Sequence, residues 1–268
     1  MLFRSDEPDH DCWTVKPMAS PSETLDRTRL PFQCCTGRSV RVAVIDSGVN
    51  HRHPHICGLA GGIVVGESGQ VEEGDYSDYL GHGTAVTAAV QEKAPDAEYY
   101  SVRLFQNSLR ASTEGLFNAM NWAIDQGMDV INLSLGTRNP NHAPRFKEAI
   151  SRAMQQGVLI VAARQAGDEL CYPGSLPGTI NVGLDWDCPR ESFRYEANEI
   201  DGVFYCSGYP RSLPGMSRER NLNGISFAVA NMSGFVIRAC EAVAKTAVER
   251  PLRVDAVRAA LIGEATHS

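Results

Sequence analysis

The apolar positions of this chain fall into short runs that switch between two periods. Residues 40–45, Val40-Arg41-Val42-Ala43-Val44-Ile45, form a β-branched run with little polarity, as in a parallel strand buried on both faces. Residues 98–104, 129–135, 158–163 and 180–183 predict further strands. Between them the spacing turns helical. Over 114–126, Leu116, Phe117, Met120, Ala123 and Ile124 share one face, and Gly127 suits a left-handed cap. Residues 146–156 predict another amphipathic helix, closed at Gly157, while 85–90 and 227–244 read as buried helices. Glycines 61, 62, 66, 69 and 74 predict loops and turns, and residues 171–221 read as loop-rich apart from the 180–183 strand. Strands alternating with helices imply right-handed crossovers and a doubly wound, mostly parallel α/β sheet. Residues 1–38, rich in Pro, Ser, Asp and Thr, predict an irregular arm ahead of one domain over 39–268.

Composition narrows the function. A chain of 268 residues suits one large domain with a substantial core. Its formal net charge of −7 argues against a nucleic-acid partner, because phosphate binding needs concentrated Lys and Arg. No run of 18 apolar residues occurs, so no membrane span is expected. Eight cysteines are irregularly spaced, without C-x-x-C metal spacing, and reduced thiols are expected.

Three fragments carry candidate chemistry. The first predicted strand runs into Asp46 in Val44-Ile45-Asp46-Ser47-Gly48. His82 stands between glycines in Gly81-His82-Gly83-Thr84, and Ser226 follows a small-residue turn in Asn223-Gly224-Ile225-Ser226-Phe227-Ala228. A serine hydroxyl is a poor nucleophile until a base takes its proton and a carboxylate orients that base. These residues supply the three parts, in the order Asp, His, Ser.

On these motifs the chain resembles the subtilisin-like serine proteases of the subtilase family, from about residue 41 to 244. Asp46 matches D-[ST]-G, His82 matches H-G-T, and Ser226 matches G-T-S-x-A. Asn132-Leu133-Ser134-Leu135-Gly136 is similar to the family's substrate-binding strand, so Ser134, Leu135 and Gly136 are substrate-binding candidates. Ungapped extension places Leu109-Arg110-Ala111, with Arg110, at the second substrate strand. The resemblance implies a three-layer α/β/α fold and peptide hydrolysis through an acyl-enzyme. His53-Pro54-His55-Ile56 matches a family turn, which favours a turn over a metal site for His51, His53 and His55. No cofactor or metal is expected, and no calcium ligands are recognisable. Secreted members begin with a signal and a folded propeptide; about 40 residues precede the Asp46 strand here, which implies cytoplasmic action.

Two departures bear on mechanism. Ala163-Arg164-Gln165 stands where the family has A-G-N, so Gln165 falls at the oxyanion-donor position with one more methylene. Arg164 replaces a pocket glycine; its guanidinium can select an acidic residue before the scissile bond, pair with Asp168 or Glu169, or face solvent. The expected function is a serine endopeptidase of narrow specificity that matures a particular peptide or protein. The alternative is a peptide-binding relative that does not cut.

Overall fold

The structure is a computed structural model, and it describes residues 2–3, 30–66, 68–198, 200–246 and 253–265. Its main sheet contains β1 (Arg41–Asp46), β2 (Gly61–Val65), β3 (Val71–Glu72), β4 (Glu98–Arg103), β5 (Val130–Leu133), β6 (Leu159–Ala163), β7 (Ile180–Leu184), β8 (Arg194–Glu196) and β9 (Val203–Cys206). Across the sheet the order is β8-β9-β7-β6-β5-β1-β4-β2-β3. The seven inner strands are parallel, and β3 and β8 pair antiparallel at the edges. Five helices accompany them: α1 (His82–Lys93), α2 (Thr113–Asp125), α3 (Ala143–Gln155), α4 (Ile225–Ala244) and α5 (Arg253–Glu264).

Strand alternation explains the layers, because successive side chains point to opposite faces. Val42 and Val44 join Val130, Val161 and Val182 in a core closed by α1, α4 and α5. Ala43 and Ile45 join Ile131, Leu133 and Ile160 beneath α2 and α3. Both faces are covered, which is why these strands read as unbroken apolar runs. The result is the three-layer α/β/α arrangement. From β1 the chain places β4 on one side and β5 on the other, so β1 marks the switch point where α/β sheets open a crevice at their carboxyl ends.

Helix α4 is long and apolar enough to cross a membrane, yet 89% of its apolar window is buried inside the domain, so it serves as a core helix. Its buried Arg238 donates to the carbonyls of Pro31 (2.8 Å), Phe32 (2.9 Å) and Lys93 (2.9 Å). Glu241 accepts the N–H groups of Thr36 and Gly37. The described end of the predicted arm, residues 30–38, thus packs against α4 with Leu30 buried. Leu2–Phe3 pairs in parallel with Gly136–Thr137; the arm residues 4–29 lie outside the described residues.

Four elements differ from the sequence reading. Residues 61–65, expected as loop, form strand β2: a Cβ on Gly62 would sit 2.6 Å from the Ser101 carbonyl, so glycine here permits close strand packing rather than a turn. The loop-rich stretch contains β8 and β9. Helix α5, not read from the sequence, packs Val254, Val257 and Leu261 into the α4 core. No disulfide links the seven described cysteines to one another, and Cys12 lies outside the described residues.

Candidate active site

Asp46 ends β1 at the carboxyl edge of the sheet, 1% exposed. Its Oδ1 accepts the Ser47 N–H at 2.8 Å and meets His82 Nδ1 at 2.7 Å. A carboxylate only accepts, so this contact assigns the proton to Nδ1 and leaves the Nε2 lone pair free to act as a base. Asp46 Oδ2 is buried without a hydrogen-bond partner among the described residues.

His82 opens α1, and the flanking glycines are what allow it there. Gly81 adopts φ +80°, and a Cβ on Gly83 would lie 2.2 Å from the Gly48 carbonyl. The helix therefore starts hard against the turn that follows β1, which carries His82 to Asp46. Asp78, which the sequence reading passed over, locks the junction. Its Oδ1 accepts from the Ser47 hydroxyl (2.9 Å) and the N–H groups of Leu80 and Gly81 (both 2.9 Å). Its Oδ2 accepts from the N–H (2.8 Å) and hydroxyl (2.6 Å) of Thr84. Ser47 Oγ in turn accepts the Gly83 N–H at 2.8 Å. An aspartate shortly before a helix start is a capping signal, and it was the available clue.

Ser226 is the second residue of α4, preceded by Gly224 at φ +130°, a backbone region open to glycine. Being in the first turn, its N–H has no acceptor within the helix. The Ser226 hydroxyl donates to the Ser134 carbonyl at 3.4 Å rather than to His82. The ring of Phe227 lies 5.8 Å from that of His82, centroid to centroid. Beneath Ser226 a polar chain crosses from α4 to β5. Ser233 Oγ donates to Asn132 Oδ1 (2.9 Å), Asn132 Nδ2 to Ser134 Oγ (3.1 Å), and Ser134 Oγ to the Ser226 carbonyl (3.2 Å). Asn132 was read only as part of the substrate-strand motif, and Ser233 was not singled out from sequence, because a buried hydrogen-bond partner has no local pattern.

The other candidates divide. Ser134 lies directly against Ser226, whereas the Leu135 side chain is buried in the core under α2 and α3, so only its backbone is available to a ligand. Gly136 faces the Tyr172 carbonyl, which a Cβ would meet at 2.6 Å. Arg164 is half-buried and makes neither hydrogen bond nor ion pair through its guanidinium among the described residues; Glu169 pairs with Arg138 instead (2.8 Å). The Arg164 charge reaches Tyr205 on β9, where it opposes the upward push of burial and Glu196 on the phenol. Gln165 is exposed in a tight hairpin pairing Gln165–Ala166 with Glu169–Leu170. Residues 109–111 form no regular strand, and Arg110 lines a separate cavity of about 290 Å³ with Gln106 and Ser108. No group of three or more His, Cys, Asp or Glu residues among those described is placed to hold a metal ion.

The profile of the Subtilase family matches residues 37–193. Subtilisin E of Bacillus subtilis (strain 168) is 31% identical over 223 residues, 76% of this chain and 56% of that one. The chain thus spans little more than half the length of that relative. An intracellular serine protease of Paenibacillus polymyxa is 29% identical over 244 residues, 84% of this chain and 74% of that one. Among solved structures, that of the prenylagaramide maturation protease PagA superposes with a TM-score of 0.60 at 24% identity, covering 78% of each chain, a likeness of fold. The family profile covers more than half of the chain, and it takes in both the β1 end that carries Asp46 and the α1 start that carries His82. The chain belongs to the subtilase family.

Proposed function

We propose that the protein is a serine endopeptidase in which Ser226 attacks the peptide carbonyl, His82 serves as general base and then acid, and Asp46 orients and stabilises His82. The observation that carries this reading is the 2.7 Å contact between Asp46 and His82 Nδ1, which leaves Nε2 to act as a base, with the ring of Phe227, the residue after Ser226, 5.8 Å away. In attack, the Ser226 hydroxyl leaves its long bond to Ser134 and passes its proton to Nε2 as Oγ bonds to the carbonyl carbon. Hydrogen bonds of this kind are often loose before substrate binds. Asp46 gains most when the imidazole becomes a cation, because its buried Oδ2 has no other partner among the described residues. The free N–H of Ser226, at a helix N-terminus, and the Gln165 amide are the oxyanion donors. His82 then protonates the leaving amine, and water hydrolyses the acyl-enzyme.

The substrate lies along Ser134–Gly136, and the uncommitted Arg164 supports preference for Asp or Glu before the scissile bond. We expect narrow specificity, as in maturation of one peptide or protein, and cytoplasmic action; the solved relative described as a maturation protease and the relative named intracellular support this. A peptide library digested by wild type and Ser226→Ala and read by mass spectrometry tests the proposal. Cuts lost in the variant, with acidic residues enriched before them, are expected.

A second reading, a peptide binder that does not cut, draws on the Ser226 hydroxyl being held by Ser134. A fluorophosphonate probe separates the two. Labelling of wild type but not of Ser226→Ala requires an activated hydroxyl; no labelling of folded wild type favours the binder.

A further inference from the structure

A cavity of about 400 Å³ opens beside the start of α1. Its walls are Gly81, just before the helix that carries His82, Ala85 of that helix, the His53–His55 turn, and residues between Pro210 and Leu222 on the segment that leads into Ser226. Neither Ser134, Gly136 nor Arg164 lines it, so it is distinct from the edge assigned to the acyl half of the substrate. We infer that this cavity receives a carboxylate borne by the leaving half of the substrate, either an Asp or Glu side chain shortly after the scissile bond or the substrate's own carboxyl terminus. The inference rests on the protease reading and extends it.

Position comes first. His82 must protonate the leaving amine, so the departing segment runs past His82. This cavity borders that path: it is lined by Gly81, the neighbour of His82, and by Asn221 and Leu222, shortly before Ser226 in the chain.

Charge comes second. The chain carries a net −7, yet the cavity is lined by two guanidinium groups, Arg211 and Arg220, and one carboxylate, Asp78. Both Asp78 oxygens are occupied by the five hydrogen bonds that fix the α1 junction. Arg211 donates to the His55 carbonyl at 3.3 Å and shares Glu92 with Arg190, leaving one positive charge on that trio. Arg220 is exposed, and its guanidinium makes no ion pair or hydrogen bond among the described residues. Burial first, and then the Arg211 charge, hold the His55 imidazole below its ordinary pKa. A carboxylate is the group such a site lacks, and a guanidinium fork binds it with two parallel bonds.

Shape comes third. Leu213, Met216 and Leu222 give the cavity an apolar wall, with Met216 and Leu222 each 40% exposed. Surface of this kind takes the methylenes of a glutamate or an apolar neighbour while the arginines hold the charge.

The test uses peptides matched to the leaving half of a cleaved sequence, one set with Glu or Gln after the cut, one ending in a free acid or an amide. Two quantities are read on the full chain: kcat/KM for the uncut peptides, and binding of the corresponding product peptides to Ser226→Ala by fluorescence anisotropy. Wild type should favour Glu over Gln by about 3–10-fold in both, mainly through KM, as expected of a partly exposed charge-assisted bond. Arg220→Glu should reverse the ratio, while Arg218→Gln, outside the cavity, should leave it unchanged. A preference confined to the free-acid set identifies the carboxyl terminus as the source; one confined to the internal set identifies the side chain. Equal handling of Glu and Gln and of acid and amide, or a preference that survives Arg220→Glu, overturns the inference. Product binding that follows charge without any cleavage would uphold the cavity and overturn the protease; cleavage indifferent to charge would do the reverse.

Discussion

Asp78 grips Thr84 at both its backbone N–H, 2.8 Å away, and its hydroxyl, 2.6 Å away. Through the same carboxylate the α1 start is tied to Ser47, the residue after Asp46. An amide in its place accepts through one oxygen only. We expect Asp78→Asn to lower kcat by roughly 10–100-fold while KM shifts little, because a misplaced base harms the transition state more than substrate binding. Measuring the two constants separately on folded protein decides it. A lower melting temperature with unchanged kcat would make Asp78 a purely structural cap.

Asp46→Asn keeps the size of the side chain but removes its charge and replaces one acceptor oxygen with an NH2 donor, so the proton is no longer held on Nδ1. The expected outcome is a loss in kcat of about 10⁴, as for the comparable change in a serine-protease triad. Steady-state kinetics beside circular dichroism separate this from unfolding. Near-wild-type turnover would remove Asp46 from the catalytic set.

Gln165→Ala should cost about 10–100-fold in kcat, somewhat less than loss of a well-aimed oxyanion donor. Gln165 is exposed in its hairpin and its amide has no fixed partner among the described residues, so part of its effect requires substrate to order it. Gln165→Asn is the informative partner variant. Turnover rising above wild type would show that the extra methylene weakens the donor's aim. No loss in Gln165→Ala would leave the Ser226 N–H as the working donor.

Lys93 is wholly enclosed between α1 and α4, donating to Asn231 Oδ1 at 2.6 Å. Burial, then the Arg190 charge, bring its pKa from 10.5 down to about 7. The unfolded chain therefore binds more protons between about pH 7 and 10.5. Stability rises with pH through that window, and below it the folded state carries the full penalty of a buried cation, of the order of 5 kcal/mol. Lys93→Met should gain on wild type in urea midpoint as pH falls from 9 to 6. A difference that stays flat across that range would show that Lys93 remains charged or hydrated throughout.

The fold was legible wherever burial on both faces wrote an unbroken apolar run, as in β1 and β6, or where one face did so at helical spacing, as in α2. It failed at β2, where Gly61 and Gly62 imitate a turn although glycine is there to admit Ser101 and Tyr76. Asp46, His82 and Ser226 were legible as candidates because each sits at the end of an element, close to a glycine that its junction demands: Gly48, Gly81 and Gly83, and Gly224. The roles of Asp78 and Asn132 escaped because they are defined by partners distant in sequence or hidden in the core. Arg164 was read with three possible fates, and the pairing with Glu169 fails because Arg138 takes that carboxylate.

Helices α1 and α4 carry His82 and Ser226 at their leading ends, and farther along they are joined where Lys93 meets Asn231 and Arg238 holds the Lys93 carbonyl. Helix α1 is about 17 Å long by its rise per residue. Pivoted at Lys93, a tilt of about 3° swings His82 by about 1 Å, a displacement that can cost roughly 10²-fold in rate. The fastening at the bottom of the domain is therefore a fulcrum for the chemistry at the top. On the protease reading, a lesion there is expected to register as slower turnover before it registers as lost stability.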